Sequence, residues 1–333
     1  MGEFELIDKY FKFSSHAQGV SVGVGDDCAL LAPTPGMQWA VSTDMLVEGR
    51  HFFSDVDPFT LGQKSLAVNL SDLAATGAMP RGFTLSLSLP SVQEPWLAQF
   101  SKGLQDLSHR FGCPLVGGDT TRGPLCIGIT VMGEVPSGQA LLRSGAKAGD
   151  DLYVSGTLGD ARAALLALQG ELRLEPGVLS TIRHRLEAPT PRLSLGQRLR
   201  GLASAAMDLS DGLSGDLAKM MKASGTRAQL QTNWIGQSPA ISPSLQTLDF
   251  ETRLSLVASG GDDYELLFAS PPGARAAIEA LGAELQLSLT RVGEVMASSG
   301  ALELDKINSG LVVFLDAHQQ VLELKAQSFD HFS

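Results

Sequence analysis

The sequence predicts a mixed α/β (α+β) protein of two domains, on the basis of three observations. Segments with apolar residues at helical spacing interleave along the whole chain with segments in which apolar and polar residues alternate. The length of 333 residues corresponds to about two domains. A glycine-containing stretch at 144–150 lies near the middle, and we place the boundary there, between domains 1–145 and 146–333.

The first half of the chain predicts helices and strands in alternation. Apolar residues at helical spacing predict helices at 4–13, 60–77 and 96–111. Alternating or β-branched segments predict strands at 39–43, 83–89 and 125–135. The helix at 60–77 ends at a glycine that Pro80 follows closely, which is a typical C-terminal signal.

The second half repeats this mixture of elements. A strand is predicted at 151–155, and helices follow at 161–168, 191–203 and 213–223. Further strands are predicted around Ala228, Leu254 and Leu266. The segment 237–248, with two prolines and several serines, predicts a surface loop.

Charge and cysteine content exclude several classes of protein. Acidic residues outnumber basic ones, 36 to 25, and aromatic residues make up 6%, so nucleic acid is not an expected partner. Cys28, Cys113 and Cys126 are too scattered for a disulfide framework or a zinc site and predict buried free thiols. The acidic N-terminus does not resemble a signal peptide, and no apolar run reaches the ~18 residues of a membrane helix. We therefore expect a soluble cytoplasmic protein with no membrane partner.

The chemical signal is a series of aspartates in turns that also contain glycine, serine or threonine. Any one of them has an ordinary explanation, because Asp in turns and helix caps accepts hydrogen bonds from free backbone N–H groups. Six such turns are harder to explain as caps alone. They contain Asp27, Asp44, Asp72, Asp119, the pair Asp208 and Asp211, and Asp262.

Carboxylate and hydroxyl oxygens are the ligands that Mg²⁺ prefers, and Mg²⁺ in proteins is usually held by a few carboxylates together with substrate phosphates. Glycine beside these ligands allows backbone N–H groups to approach phosphate oxygens. A site rich in aspartate and glycine but poor in lysine would therefore bind a polyphosphate through bridging cations.

Other phosphate-binding and catalytic devices are missing from the sequence. It contains no GxxxxGK[ST] loop, no HRD…DFG set and no third glycine after Gly23 and Gly25 for a dinucleotide fingerprint. No nucleophile with a neighbouring base stands out. His51 is the histidine that lies within an acidic cluster, and an ordinary turn histidine is the alternative interpretation.

Taken together, the motifs resemble those of the thiamine-monophosphate kinases, within the aminoimidazole-ribonucleotide-synthetase-like superfamily. They occur in order over almost the whole chain, which makes the combination specific. The matching stretches are GVGDDCA (23–29), STDMLVEGRHF (42–52), KSLAVNLSDLAATGA (64–78), GGDTTRGP (117–124), RSGAKAGD (143–150), DLSDGL (208–213), SGGDDYEL (259–266) and FDHF (329–332).

The resemblance implies an enzyme of thiamine diphosphate biosynthesis that transfers the γ-phosphoryl group of ATP to thiamine monophosphate with several Mg²⁺ ions. It also implies two α/β domains, the N-terminal domains pairing across a homodimer to form a β-barrel. Because the acceptor is an ionised phosphate, positioning and charge neutralisation are the main tasks, and no general base is expected.

The resemblance also assigns roles to individual residues, with Ser42 the weaker candidate among the metal ligands. Two residues depart from the family motif: Asp262 stands where a glutamate is usual, and Phe329 where a tyrosine or tryptophan is common. The implied metal ligands are Asp27, Ser42, Thr43, Asp44, Asp72, Asp119, Asp208 and Asp211; the implied ATP contacts are Gly118, Arg143 and Ser210; and the implied contacts to thiamine monophosphate are His51, Asp262 and Phe329.

Two alternatives stay open at the level of the sequence. One is another ATP-dependent synthetase of the same superfamily, although the N-terminus lacks the reactive cysteine of a selenophosphate-forming enzyme. The other is a non-enzymatic module that binds a divalent metal or a nucleotide, although the chain contains no twelve-residue EF-hand loop.

Overall fold

The computed structural model describes residues 2–12, 19–24, 28–298 and 311–322. The chain forms two compact units, each a mixture of helices and strands. The first unit comprises Met1–Ala74, Ala78–Ala140 and Glu187–Leu193, and the second comprises Ala75–Gly77, Leu141–Leu186 and Ser194–Ser333.

In its described residues, the first unit contains a four-stranded sheet, a two-stranded sheet and three helices. Its elements in chain order are α1 (Glu3–Tyr10), β1 (Val20–Val22), β2 (Leu30–Leu31), β3 (Met37–Val47), α2 (Pro58–Thr76), β4 (Met79–Leu89), α3 (Glu94–Phe111), β5 (Leu115–Arg122) and β6 (Cys126–Pro136). The order of strands in the sheet is β3-β6-β4-β5, so β3 and β5 are its edges. Only β4 and β5 pair in parallel within this sheet.

Strand β4 shows how the residue pattern positions this sheet. Phe83, Leu85, Leu87 and Leu89 alternate with polar residues and are buried. A period of two places these side chains on one face, so that face forms the core of the unit.

Edge strand β3 carries an exposed apolar face. Trp39, Val41, Met45 and Val47 alternate along the strand and share that face with Thr43. Val41 and Met45 are 63% and 62% exposed. An apolar stripe of this kind on an edge strand is typical of a surface that contacts another protein surface.

The second unit is built on a seven-stranded sheet with the order β13-β12-β9-β11-β7-β10-β8. Its elements are β7 (Asp151–Ser155), α4 (Asp160–Leu168), α5 (Val178–Glu187), α6 (Leu193–Leu199), β8 (Ala205–Asp208), α7 (Leu213–Ser224), β9 (Arg227–Gln231), α8 (Trp234–Gln237), α9 (Phe250–Ser259), β10 (Leu266–Ser270), α10 (Arg275–Leu285), β11 (Leu289–Met296), β12 (Val312–Leu315) and β13 (Val321–Leu322). Strands β7 and β10 are buried along their whole length.

Two of the predicted elements in this unit are wrong. Leu254 lies in helix α9 and not in a strand, because the side chain of Asp249 caps the helix by accepting the backbone N–H of Thr252 at 2.9 Å. The segment 237–248 is not simply a surface loop, since Ile241 and Leu245 are buried within it. Pro239 follows the end of α8, whereas Pro243 begins a short 3-10 helix at 243–245.

The cysteines follow the prediction only in part. Cys113 is buried, Cys126 is half-buried and Cys28 is exposed, and they are free thiols. Burial raises the pKa of the Cys113 thiol above its ordinary range, so this group stays neutral. Across residues 2–12, 19–24, 28–298 and 311–322, no helix is long and apolar enough to cross a membrane.

Candidate active site

A pair of carboxylates lies where β3 faces helix α2 in the first unit. Ser42 and Asp44 are two residues apart on β3 and therefore share a face. The Ser42 hydroxyl donates a short hydrogen bond to Oδ2 of Asp72 on α2. Burial, and secondarily the negative charge of Asp72, raise the pKa of Asp44 to about 6. The structure thus brings together three of the predicted metal ligands, two of which repel each other.

Asn69 holds this arrangement together, although the sequence did not single it out. Its Oδ1 accepts the backbone N–H of Asp44 at 3.0 Å, while its Nδ2 donates to the carbonyl oxygen of Ser65 at 3.0 Å. The sequence did contain a signal for this role, since Asn69 interrupts an apolar segment of a predicted helix. An asparagine in such a segment is expected to be buried, as it is here, and a buried amide requires hydrogen-bond partners.

Thr43 is adjacent to Asp44 in sequence but faces the other side of the sheet. Its hydroxyl donates to the carbonyl oxygen of Ile129 at 3.0 Å and lies 3.0 Å from the hydroxyl of Thr130. The backbone geometry of a strand therefore separates Thr43 from the carboxylates of Asp44 and Asp72.

Gly118 and Asp119 lie in strand β5, and the prediction of a glycine turn there is wrong. Asp119 is exposed and pairs in register with Ser86. Ser86 pairs in turn with Gly128, and Gly128 pairs with Met45 of β3. Because residues paired across a sheet point to the same face, Asp119 shares a face with Met45 and Thr43 and not with Asp44. Strands β3 and β5 are also three strand spacings, about 14 Å, apart. Within the first unit the structure does not bring Asp119 to the Asp44–Asp72 pair.

The backbone of Gly118 packs closely against strand β4, whereas the predicted approach was to a phosphate of ATP. Its φ is +150°, and a Cβ atom here would lie 2.0 Å from the carbonyl oxygen of Leu85. Any side chain at this position would push β5 away from β4, so the pairing itself requires glycine.

His51 lies in the turn after β3. Its ring Nδ1 accepts the backbone N–H of Val47 at 3.0 Å, which places the proton of the neutral ring on Nε2. The buried amine of Lys64, on α2, donates to the carbonyl oxygen of His51 at 3.3 Å. Lys64 is thus a second residue that positions the site and that the sequence had not assigned.

In the second unit, Asp208 and Asp211 flank a tight loop between β8 and α7. Asp208 is buried at the end of β8. The carboxylate of Asp216, in the first turn of α7, accepts the backbone N–H groups of Ser210 and Asp211, each at 2.9 Å. Lys219 donates both to Asp216, at 2.9 Å, and to Asp211. The loop that carries Ser210 is therefore fixed by α7.

The segment 260–265, which we call the 260–265 loop, packs against that loop. The backbone N–H of Asp262 donates to the carbonyl oxygen of Ser210 at 3.0 Å, and that of Tyr264 donates to Leu209 at 2.8 Å. Asp262 and Tyr264 are both left-handed, with φ of +66° and +48°. A left-handed non-glycine residue costs free energy and recurs at functional sites. The structure therefore brings Ser210, Asp211 and Asp262 together.

The remaining predicted residues are not grouped with these. Arg143 is exposed, and its carbonyl oxygen accepts the hydroxyl of Ser224 at 3.2 Å. Asp27 and Phe329 lie outside the described residues. Within the part of the chain that the structure describes, no group of three or more His, Cys, Asp or Glu side chains is arranged to hold a metal ion.

The chemistry available at these sites is that of oxygen donors and backbone amides. The Asp44–Asp72 pair and the Asp208–Asp211 loop both offer carboxylates, and Ser42 adds a hydroxyl to the first of them. Such an arrangement suits charge neutralisation and positioning of a polyanion through cations.

The fold and these sites define a protein of the AIR synthase related class. The family model for the N-terminal domain of AIR synthase related proteins matches residues 25–135, and the model for their C-terminal domain matches residues 147–305. Among curated proteins, the thiamine-monophosphate kinase of Salmonella typhimurium is 43% identical over 100% of this chain and 98% of its own length. The chain belongs to the thiamine-monophosphate kinase family.

Solved structures agree with this family. The crystal structure of thiamine-monophosphate kinase from Stenotrophomonas maltophilia K279a has a TM-score of 0.82 and 43% identity, covering 90% of this chain and 96% of that one. AaThiL complexed with AMPPCP and TMP has a TM-score of 0.74 and 26% identity, covering 99% of this chain and 97% of that one. These comparisons confirm the resemblance to the thiamine-monophosphate kinases that the sequence motifs indicated. They also confirm the predicted mixed α/β fold of two domains.

Proposed function

We propose that this chain is an ATP-dependent kinase that converts thiamine monophosphate to thiamine diphosphate. A phosphate oxygen of thiamine monophosphate attacks the γ-phosphorus of ATP, the bond from that phosphorus to the β,γ-bridging oxygen breaks, and ADP leaves with the electron pair. Full-length identity of 43% to a thiamine-monophosphate kinase supports this reaction over the synthetase and the non-enzymatic module. The structure of AaThiL with AMPPCP, an ATP analogue, and TMP supports both substrates.

The observation that carries the proposal is the Asp44–Asp72 pair. Two carboxylates placed together, one of them with its pKa raised to about 6, form a site whose charge calls for a cation. The reaction joins two polyanions, so the same cation requirement arises on the substrate side. An acidic site can therefore serve a reaction between anions when metal ions lie between them.

Magnesium fits the donors of both acidic sites. Hydroxyl and carboxylate oxygens of Ser42, Asp44 and Asp72 in the first unit, and of Asp208 and Asp211 in the second, are the hard ligands that Mg²⁺ selects. When bound, Mg²⁺ would neutralise phosphate charge and orient the transferred group. We extend the ligand set to Asp27, Thr43 and Asp119, as the family resemblance implies.

The substrate contacts are assigned by combining the resemblance with the local geometry. Ser210, on a loop fixed by Asp216, and the close-packed backbone at Gly118 would contact ATP, together with the exposed guanidinium of Arg143. On the acceptor side, we assign contacts with thiamine monophosphate to three residues: His51, Asp262 and Phe329.

We further propose that the protein is a homodimer in which the N-terminal sheets pair to form a β-barrel. Trp39, Val41, Met45 and Val47 form an exposed apolar face on edge strand β3, which a second copy would cover. The Asp44–Asp72 pair and Asp119 lie at opposite edges of this sheet, so a partner sheet would also change which acidic residues lie close together.

The experiment that tests the function is incubation of the chain with ATP, MgCl₂ and thiamine monophosphate, followed by chromatography of thiamine diphosphate and ADP. We expect both products in equal amounts, and neither after chelation of the metal with EDTA. Thermal unfolding with Mg²⁺, with ATP and with both shows that the protein is folded, and the combination should stabilise it most. Folded protein that forms no thiamine diphosphate would contradict the proposal.

A further inference from the structure

A buried ion pair lies beneath the 260–265 loop. Arg185, on helix α5, is 11% exposed at its side chain. Its Nη2 donates to Oε1 of Glu265 at 2.7 Å and to the carbonyl oxygens of Asp263 and Thr157, each at 3.3 Å. One guanidinium nitrogen thus contacts the loop at its backbone and at a side chain.

The backbone carbonyl that accepts a hydrogen bond from Arg185 lies between two residues of left-handed conformation. It belongs to Asp263, which lies between Asp262 and Tyr264, the two left-handed residues of the loop. A left-handed non-glycine residue persists only where surrounding contacts outweigh its conformational cost. The bond from Arg185 is one of the contacts that stabilise this backbone.

The carboxylates around Arg185 are held from the other side by the segment 155–159. The Ser155 hydroxyl donates to Oε2 of Glu265 at 2.5 Å, and the backbone N–H of Gly159 donates to Oδ1 of Asp263 at 3.0 Å. At Gly156, a Cβ atom would lie 2.2 Å from Oε1 of Glu265, so that position has room only for glycine. The loop is therefore anchored at several points, and Arg185 supplies the only cation among those named here.

The charge balance makes this cation necessary. Burial raises the pKa of Asp263 well above its usual range, and Arg185 counteracts that effect. Burial disfavours the charged guanidinium in turn, but the carboxylates of Glu265 and Asp263 outweigh it and raise the pKa of Arg185. Removing one member of such a buried pair leaves an uncompensated charge.

We propose that Arg185 is a positioning residue for the acceptor substrate: by holding the Asp263 carbonyl and the Glu265 carboxylate, it keeps Asp262 in the left-handed conformation that contacts thiamine monophosphate. This inference rests on the proposed function. The loop that carries Ser210 is bonded to the 260–265 loop through the Asp262 N–H, but the carboxylate of Asp216 also accepts the backbone N–H groups of Ser210 and Asp211. We therefore expect Asp216 to hold the ATP side of the site when the contacts of Arg185 are lost.

The geometry of these contacts also predicts which substitution of Arg185 retains its positioning role. The contacts come from Nη2, and Nε of Arg185 is buried without a hydrogen-bond partner among the described residues. A lysine presents one cationic nitrogen with three donors, which suits these three acceptors. Arg185→Lys should therefore preserve function that Arg185→Met loses.

The test compares the Michaelis constants of both substrates in Arg185→Met, Arg185→Lys and Arg198→Met. Arg198 is the matched control, since its ion pair with Glu284 is exposed. For Arg185→Met we expect KM for thiamine monophosphate to rise about tenfold or more and KM for ATP to change less than about twofold. In Arg185→Lys, KM for thiamine monophosphate should return most of the way to the wild-type value. Arg198→Met should have the wild-type KM for both substrates.

The double variant Arg185→Met/Glu265→Gln covers the case in which Arg185→Met does not fold, because it removes both charges of the pair. It should fold and show the same selective rise in KM. Equal changes in both Michaelis constants, or no change in a folded variant, would overturn the inference. A wild-type protein that forms no thiamine diphosphate would instead refute the proposed function, so the two failures are distinguishable.

Discussion

The backbone N–H of Asp262 donates a hydrogen bond of 3.0 Å to the carbonyl oxygen of Ser210. We assign Asp262 to the acceptor substrate and Ser210 to ATP, so one hydrogen bond links the two halves of the proposed reaction. The contact is close on both sides, because a Cβ atom on Gly261 would lie 2.4 Å from the same carbonyl oxygen. This close approach of the two loops therefore requires glycine at position 261.

Gly261→Ala should separate these loops and lower kcat/KM by about tenfold or more, because the reacting groups would no longer be held in line. Steady-state kinetics of ADP release measure the effect. Gly273→Ala is the matched control, since a Cβ atom at Gly273 has nothing within 4 Å, and it should leave kinetics unchanged. Unaltered kinetics in Gly261→Ala would show that the two loops act independently.

Asp72→Asn should reduce turnover by about two orders of magnitude or more while the protein stays folded, because a proposed metal ligand loses its charge. The asparagine oxygen can still accept the Ser42 hydroxyl, so the local structure is retained. Product chromatography and circular dichroism measure the two properties. Asp106→Asn, at an exposed aspartate of α3, is the control. Full activity in Asp72→Asn would rule out its metal role.

Asp44→Asn should stabilise the metal-free protein at neutral pH. The pKa of Asp44 is raised to about 6 in the folded protein, so the folded state binds the proton more tightly than the unfolded chain does. The protonated carboxyl of Asp44 therefore contributes to the stability of the folded protein at low pH. This contribution is lost as the carboxyl ionises when the pH rises through about 6. The variant avoids this loss, and we expect a gain of about 2 kcal/mol at pH ~7.5 that shrinks towards pH ~5.

Urea unfolding in EDTA at these two pH values measures that gain. Asp106→Asn again serves as the control, and its stability should follow the wild type at both pH values. A pH-independent difference between Asp44→Asn and the wild type would contradict the raised pKa. The same variant should lose activity, since its side chain is a poorer ligand for Mg²⁺.

Val41→Glu should convert a dimer to a monomer, because it places a charge in the centre of the apolar face of β3. Light scattering after size-exclusion chromatography gives the mass directly. Val321→Glu, at an equally exposed valine on β13 of the second unit, should retain the mass of two chains. A wild-type protein with the mass of one chain would refute the proposed dimer.

The sequence predicted only part of the arrangement of its candidate metal ligands. The structure brings Asp44 and Asp72 together, because Ser42, Asp44 and Asp72 face one another across β3 and α2. Asp119 was placed in a turn, because Gly-Gly-Asp-Thr-Thr has the composition of one. Pairing with β4 makes this segment a strand, and such pairing between distant segments overrides local preference.

Arg185 shows the kind of residue that sequence reasoning misses. Arg183, His184 and Glu187 lie close to it on α5, so an arginine in this segment has the pattern of a surface residue. Its burial depends on Asp263 and Glu265, which lie 78 and 80 residues away in the chain. Only tertiary structure reveals that this charge lies beneath the loop.

The left-handed backbone of Asp262 bears on which amino acids natural variation can place there. Under the proposed contact with thiamine monophosphate, a residue at this position would have to tolerate a φ of +66° and also carry a negative charge. Asparagine and glycine tolerate the conformation but lack the charge, whereas glutamate has the charge but is less suited to the conformation. Aspartate meets both demands, so the departure from the glutamate of the family motif is compatible with the φ of +66° at this position.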